Sequence, residues 1–460
     1  MLNVNLARIA EMCGGTLLNE NTGTIEIKGV STDTRSLQKG NLYLPLKGEN
    51  FDGHDFLKQA LDKGAAGFIW EKERELPSTD LPAVLVEESH ETMFQLASSY
   101  RNSIEGLKVI GLTGSNGKTT TKDVITAILR QQYKVEKTPA NLNNEIGLSK
   151  TILDLDSDCE ICVLEMGTDH MGDISLLTRI AQPDFALLLN VGDSHLETLG
   201  SKENIARAKL EILEGLKPNG FFLYNGDDII IKRVLTEYIL PQNSYSFGTS
   251  EGNDHLIEPM KFDETGNTFS LNDHIYTIPL LGEHQMYNGS CAIILAEWFG
   301  LDYSDIAKGL TTISLTGMRN ELIHLKNFSI LDDSYKSNPQ SLNSFLQTAY
   351  TLDQYPRKIA VIGDMLELGE DAVKIHENIG KNIDSERLDY LICYGDLAYY
   401  IYNNAKDFYP EDHVFHFSEK EEMMEKLKEL IIPGTLVLVK ASRALHLETV
   451  VEELKDYTLE

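Results

Sequence analysis

Residues 108–123 read K-V-I-G-L-T-G-S-N-G-K-T-T-T-K-D, which sets two glycines, a lysine and a run of hydroxyls where a short apolar segment ends. Gly114 and Gly117 can take backbone angles closed to other residues, so the amides around them can converge on a phosphate. Lys118 supplies a point charge, Thr119 a hydroxyl for Mg²⁺, and a helix that starts there adds its N-terminal dipole. Gly114, Ser115, Asn116, Gly117, Lys118, Thr119 and Thr120 are therefore a candidate cradle for a nucleoside triphosphate such as ATP. The first glycine of the usual G-x-x-x-x-G-K-[ST] is replaced by Leu112. The assignment rests on context, strand before and helix after.

Three further residues could take part in phosphate chemistry. Glu165 ends the apolar run I-C-V-L-E, and a carboxylate at the carboxyl end of a strand beside the phosphate-loop strand is placed to serve Mg²⁺. His195 lies at the exit of F-A-L-L-L-N-V-G-D-S-H. Lys209 is the least expected: at helical spacing it shares a face with Ile205, Ile212 and Leu216. Burial lowers the pKa of an amine, and a neutral amine can take up carbon dioxide as a carbamate, an anionic metal ligand. The alternative is a stem that carries its charge out to solvent. Asn141, Asn143 and Asn144 form a loop whose amides could serve backbone or ligand.

The N-terminal stretch S-T-D-T-R places Ser31, Asp33 and Arg35 on one face if it is a strand, and Asn50, Asp52, Gly53 and His54 make a glycine-punctuated loop before a helix over 56–63. Asn288 falls near the start of a mostly apolar helix, and Arg319 stands alone in L-T-G-M-R-N-E, a candidate hinge. Beyond it, strand and helix alternate, which predicts a parallel, doubly wound sheet with Asp333, Asp364, Asp396, Lys440 and Arg443 at its ligand edge.

These residues need a scaffold, and 460 residues imply two or three domains. A formal charge of -30 argues against nucleic-acid or anionic-membrane partners, which require a basic face. No apolar run has the length of a membrane span, and residues 1–15 have the pattern of neither a signal peptide nor an anchor. Five cysteines, an odd number in a long chain, fit a reducing cytoplasm. Cys159 and Cys162 form a C-x-x-C inside an apolar run, where they read as buried structural thiols.

Taken together the motifs resemble the Mur ligases, ATP-dependent amide-forming enzymes of peptidoglycan precursor synthesis, over essentially the whole chain. T-G-S-N-G-K-T-T is similar to that family's own phosphate loop, and E-M-G-T-D-H-M-G-D-I, N-V-G-D-S-H-L-E, A-R-A-K-L-E-I, G-E-H-Q-M-Y-N, G-M-R-N-E and D-D-S-Y-K-S-N-P-Q-S follow in the family's order. The resemblance implies an α/β fold of three domains: a small N-terminal substrate domain over 1–105, a central ATPase-like parallel sheet over 106–316, and a C-terminal Rossmann-like domain over 317–460.

It also implies roles. Lys118 would hold the β- and γ-phosphates, and Thr119 and Glu165 one Mg²⁺. His195 and a carbamylated Lys209 would sit at a second Mg²⁺. Asn288, Arg319 and Asp333 would contact the nucleotide. Ser31, Asp33, Arg35, Asn50, Asp52, Gly53 and His54 would grip a UDP-sugar, and Asn141, Asn143 and Asn144 would line the substrate channel. Lys440 and Arg443 are weaker candidates in the third domain. The member resembled most joins D-Ala-D-Ala to UDP-MurNAc-tripeptide as a cytoplasmic monomer. The alternatives are a relative that adds lysine or diaminopimelate as the third residue, a folyl-polyglutamate synthetase, and a nucleotide-binding protein without ligase activity.

Overall fold

The computed structural model describes residues 1–75 and 78–458. Its strands assemble into three main sheets, in agreement with the three-domain α/β expectation. The N-terminal sheet orders Thr16–Leu17, Ala83–Val86, Gly67–Glu71, Leu42–Tyr43 and Val30–Ser31, parallel except where Thr16–Leu17 runs antiparallel to Ala83–Val86. The central sheet has nine strands, with the phosphate-loop strand Lys108–Thr113 between Ile161–Glu165 and Phe185–Leu188. The C-terminal sheet has six, parallel apart from the edge strand Glu321–His324.

Valine, leucine and isoleucine make up much of Lys108–Thr113 and Ile161–Glu165, which past the exposed Lys108 are buried on both faces because helices cover both. The register pairs Glu165 with Leu112, so the carboxylate comes out level with the start of the glycine-rich turn. The phosphate-loop helix runs Lys118–Leu129, preceded by Gly117 at φ 80°. A Cβ at Gly117 would lie 2.6 Å from Asn288 Oδ1, so both backbone angle and space exclude other residues there.

One apolar core runs without a break from the N-terminal domain (Leu6, Ile69, Leu96) into one face of the central sheet (Leu148, Leu164, Leu188). The helix Ser89–Ser103 joins the two, with Tyr100 Oη donating to Leu155 O at 2.8 Å and buried Arg101 paired to Asp184 at 3.0 Å. The C-terminal sheet has its own two clusters, one on each face. Packing thus fastens the first two domains into one core, whereas the third has its own clusters and meets the central domain through Leu281.

Three local expectations are corrected. Ser31 ends its strand, and Asp33 to Arg35 form a turn in which Asp33 Oδ1 accepts the Arg35 amide at 2.8 Å, so the three polar residues share no strand face. The expected helix over 56–63 is Leu57–Asp62, preceded by a 3-10 turn Gly53–Phe56 that Asp52 caps. The helix carrying Lys209 stops at Leu210 and tightens to a 3-10 turn, Glu211–Leu213. Glu211 turns aside to accept the amides of Gly172 and Ser175, and Gly215 lies against the backbone of Thr178. Leu216 is therefore past the helix end.

The central sheet also carries an antiparallel extension that was not anticipated, His255–Asp263, Gly266–Leu271 and His274–Ile278. Its second turn holds Asn272 at φ 49° and Asp273 at φ 65°, left-handed positions that suit a tight hairpin.

Candidate active site

A cleft of about 1510 Å³ opens where the three domains meet. Its floor is the phosphate loop, with Ser115 to Thr120 lining it, and Gly114 just beneath offering its carbonyl to Lys118 Nζ at 2.7 Å. Burial, together with the Lys336 and Arg319 charges, draws the Lys118 pKa down to about 8 against the pull of Glu165. A partly buried ammonium parked on a carbonyl is ready to exchange that weak partner for phosphate oxygens.

Thr119 Oγ1 donates to Glu165 Oε2 at 2.8 Å, and Asn143 Nδ2 to Glu165 Oε1 at 2.9 Å. Burial alone would raise the Glu165 pKa, but Lys118 and the fully buried Lys122 hold it below the ordinary carboxylate range. Hydroxyl and carboxylate oxygens facing one cleft suit Mg²⁺, which takes few protein ligands and completes its shell with water and phosphate. Among the described residues no three His, Cys, Asp or Glu side chains gather as a metal-binding set. That fits a site completed by the nucleotide.

Lys209 lines the same cleft, 1 % exposed, and its amine takes no hydrogen-bonding partner among the described residues. Burial first, then repulsion from Lys118 and Lys336, drives its pKa well below 10.5. A neutral, unpartnered amine is the form that carbamylation needs, and only as a carbamate would it suit Mg²⁺. His195, at φ 63° before the single turn Leu196–Leu199, places Nδ1 2.9 Å from Asp169 Oδ1. Burial, and next the Lys336 charge, lower its pKa to about 3, so its imidazole is neutral and able to ligate.

Asn288, Arg319 and Asp333 line the cleft from the central domain, the hinge and the C-terminal sheet. The Arg319 guanidinium lies 4.1 Å above the Tyr335 ring with its Nε buried and unpartnered, and Asp333 pairs with the buried Lys440. Arg443 pairs with Glu448 at 3.1 Å. Asn141, Asn143 and Asn144 line the cleft, with Asn144 also capping the helix Glu145–Asp154.

The N-terminal candidates stand apart. Ser31, Asp33, Arg35, Asn50, Asp52, Gly53 and His54 line no part of the cleft. Asp52 and His54 bond to each other at 2.8 Å and, with Arg74 and Glu71, make a network that fastens the loop. That domain reaches the cleft instead through His90 and Phe94. All five cysteines are free and buried, Cys159 and Cys162 among them as read.

Sequence reasoning left Asp169, Lys336 and Glu367 without a role. Lys336 Nζ lies 3.1 Å from Glu367, which also comes within 3.8 Å of His195, so this trio joins the C-terminal domain to the central one. Asp169 and His170 sit inside a quoted motif, four and five residues past Glu165, and their clustering was the available signal.

Matches to known proteins follow the same division. Residues 26–101 match the Mur ligase family, catalytic domain; 112–296 the Mur ligase middle domain; and 318–443 the Mur ligase, glutamate ligase domain. The UDP-N-acetylmuramoyl-tripeptide–D-alanyl-D-alanine ligase of Bacillus subtilis (strain 168) is 40% identical over 462 residues, covering 99% of each chain. Among solved structures, MurF from Acinetobacter baumannii superposes with a TM-score of 0.89 at 28% identity, covering 99% of this chain and 100% of that one. MurF ligase from Thermotoga maritima in complex with ADP gives 0.81 at 31% identity, covering 93% and 97%.

Proposed function

The chain belongs to the Mur ligase family, and from that premise we propose that it uses ATP to join D-Ala-D-Ala to UDP-MurNAc-tripeptide, giving UDP-MurNAc-pentapeptide, ADP and phosphate. The observation that carries this reading is one cleft between three domains that holds a phosphate loop, a hydroxyl–carboxylate pair and an unpartnered buried lysine. A full-length relative at 40% identity supports the substrates.

The chemistry explains why these groups meet. A carboxylate does not react with an amine at neutral pH, because oxide cannot leave. A carboxylate oxygen of the tripeptide attacks the γ-phosphorus, ADP departs, and the acyl phosphate so formed has a competent leaving group. The dipeptide amine then attacks the carbonyl carbon, the tetrahedral adduct collapses, and phosphate leaves with the former carboxylate oxygen.

Lys118 is placed to meet the anionic phosphates, with the amides of Gly117, Lys118 and Thr119 at the helix start beside it. Thr119 and Glu165 would hold one Mg²⁺, and His195 with carbamylated Lys209 a second; when bound, the ions supply charge neutralisation for two approaching anions. Asn288, Arg319 and Asp333 are assigned to the nucleotide, and Asn141, Asn143 and Asn144 to the substrate channel. Ser31, Asp33, Arg35 and the 50–54 loop are assigned to the UDP-sugar, outside the main cleft. The C-terminal domain, from about residue 317, closes the cleft and keeps water from the acyl phosphate. Among the described residues no helix is long and apolar enough to cross a membrane.

The test is phosphate release from ATP and Mg²⁺ with UDP-MurNAc-tripeptide, with and without D-Ala-D-Ala, and the product mass. Dipeptide-dependent release with pentapeptide formed is expected. Nucleotide binding without an amide product would remove the proposal.

A further inference from the structure

Among the described residues the phosphate loop hydrogen-bonds to the C-terminal domain through the Asn116 side chain, and the contact is doubly specified. Asn116 commits its backbone to the central domain: its N–H donates to Asn190 Oδ1 at 2.9 Å, and its carbonyl accepts from Asn190 Nδ2 at 3.0 Å. Its side chain is committed to the other domain. Asn116 Nδ2 donates to Gln340 Oε1 at 2.9 Å, and Asn116 Oδ1 accepts from Asn338 Nδ2 at 2.8 Å.

Helix capping fixes which end of Asn338 is on offer. Its Oδ1 accepts the Ser341 amide at 2.8 Å as the cap of the helix Pro339–Tyr350, so its amide nitrogen must face outward. There the nitrogen also donates to Ser194 Oγ at 2.8 Å, next to His195. Gly192 leaves the room required, since a Cβ on it would come within 2.3 Å of Gln340 Oε1.

The interdomain connection supplies the pivot. Thr316 N donates to Asp123 Oδ2 on the phosphate-loop helix at 2.7 Å, and Asn320 Nδ2 to Leu281 O at 2.7 Å. The chain stays tied to the central domain up to Asn320, and Glu321 already pairs in the C-terminal sheet. A body held at one pivot keeps a rotational freedom that contacts away from the pivot remove, and the Asn116 bonds do this alongside Glu367–His195 at 3.8 Å and Asn338–Ser194 at 2.8 Å.

We propose that the side-chain amide of Asn116 is the seat of a two-point latch: Asn338 and Gln340 engage its oxygen and its nitrogen and hold the phosphate loop and the C-terminal domain in register during the reaction. Asn338 and Gln340 are positioning residues, acting on catalysis through the loop that carries Lys118. The inference rests on the ligase reading for its kinetic consequences, but the latch itself is a property of the two domains.

The test uses the intact enzyme with Mg²⁺ and a non-hydrolysable ATP analogue, following the radius of gyration by small-angle scattering alongside kcat and KM. Three variants perturb the latch differently. Gln340→Ala removes one bond, Asn338→Ser keeps a capping oxygen while removing the amide nitrogen that reaches Asn116, and Gly192→Ala crowds Gln340 away. Each is expected to enlarge the radius and to lower kcat by roughly two- to tenfold per hydrogen bond lost, with an unchanged melting temperature. Asn116→Ala combined with Gln340→Ala should be no worse than Asn116→Ala alone, because both remove the same bond.

Wild-type compaction and kcat in Gln340→Ala, or additive effects of Asn116→Ala and Gln340→Ala, would overturn the latch. Expansion of the variants in an enzyme that forms no amide would sustain the latch and refute the functional reading. Amide formation with unaltered compaction would do the reverse.

Discussion

Replacing Lys209 by methionine should make the protein more stable and inactive, and the gain should depend on pH. Lys209 is 1 % exposed, takes no hydrogen-bonding partner among the described residues, and has a pKa driven well below 10.5 by burial and two neighbouring lysines. Between that depressed value and 10.5 the unfolded chain holds a proton at this site that the folded chain lacks. The unfolding free energy therefore rises with pH across that window, by about 1.4 kcal/mol per unit from this group. Methionine fills a similar volume and has no proton to lose, so it removes the cost of a charge in this buried place without opening a cavity. Urea unfolding in carbon-dioxide-free buffer should thus show the variant ahead near pH 7, with the difference shrinking as pH rises towards 10. Bicarbonate should flatten the wild-type slope, because a carbamate no longer titrates as an amine. A wild-type-minus-variant difference independent of pH, or a variant several kcal/mol less stable, would refute the reasoning.

Other perturbations test the remaining groups. Lys118→Ala should abolish amide formation with unchanged circular dichroism and melting temperature, and normal turnover in it would remove the centre of the mechanism. Because the Lys118 pKa is lowered to about 8, ATP binding to the free enzyme should weaken as pH rises through 8, when the ammonium loses its charge; a flat titration of Kd from pH 7 to 9 would contradict that. Glu165→Ala should raise the Mg²⁺ concentration needed for half-maximal rate at least tenfold, and an unchanged metal titration would remove its role. Lys209→Ala should be inactive and partly restored by a short-chain carboxylic acid that replaces the carbamate; an active, unrescued variant would defeat that assignment.

The fold was legible where chemistry and periodicity are local. The phosphate loop declares itself because glycine, lysine and threonine must be neighbours in sequence to surround one phosphate, and the structure seats them between strand Lys108–Thr113 and helix Lys118–Leu129. Lys209 showed as a charge inside an apolar stripe, although its helix ends before Ile212 and Leu216 because Glu211 is drawn away to cap another segment. What the sequence hid depends on partners far along the chain. Nothing local marks Lys336 and Glu367 as neighbours of His195, or Asn338 as the partner of Asn116, 222 positions away. Ser31, Asp33 and Arg35 misled for the opposite reason: their alternation suits a strand, but Asp33 bonds its own backbone and makes a turn.

The most direct measurement follows an oxygen atom. UDP-MurNAc-tripeptide labelled with ¹⁸O in the carboxylate that becomes the amide is turned over with ATP and D-Ala-D-Ala, and the released phosphate is examined by mass. Transfer through an acyl phosphate predicts one labelled oxygen in the phosphate and one retained in the pentapeptide amide. Phosphate free of label, with the amide still formed, would contradict the account.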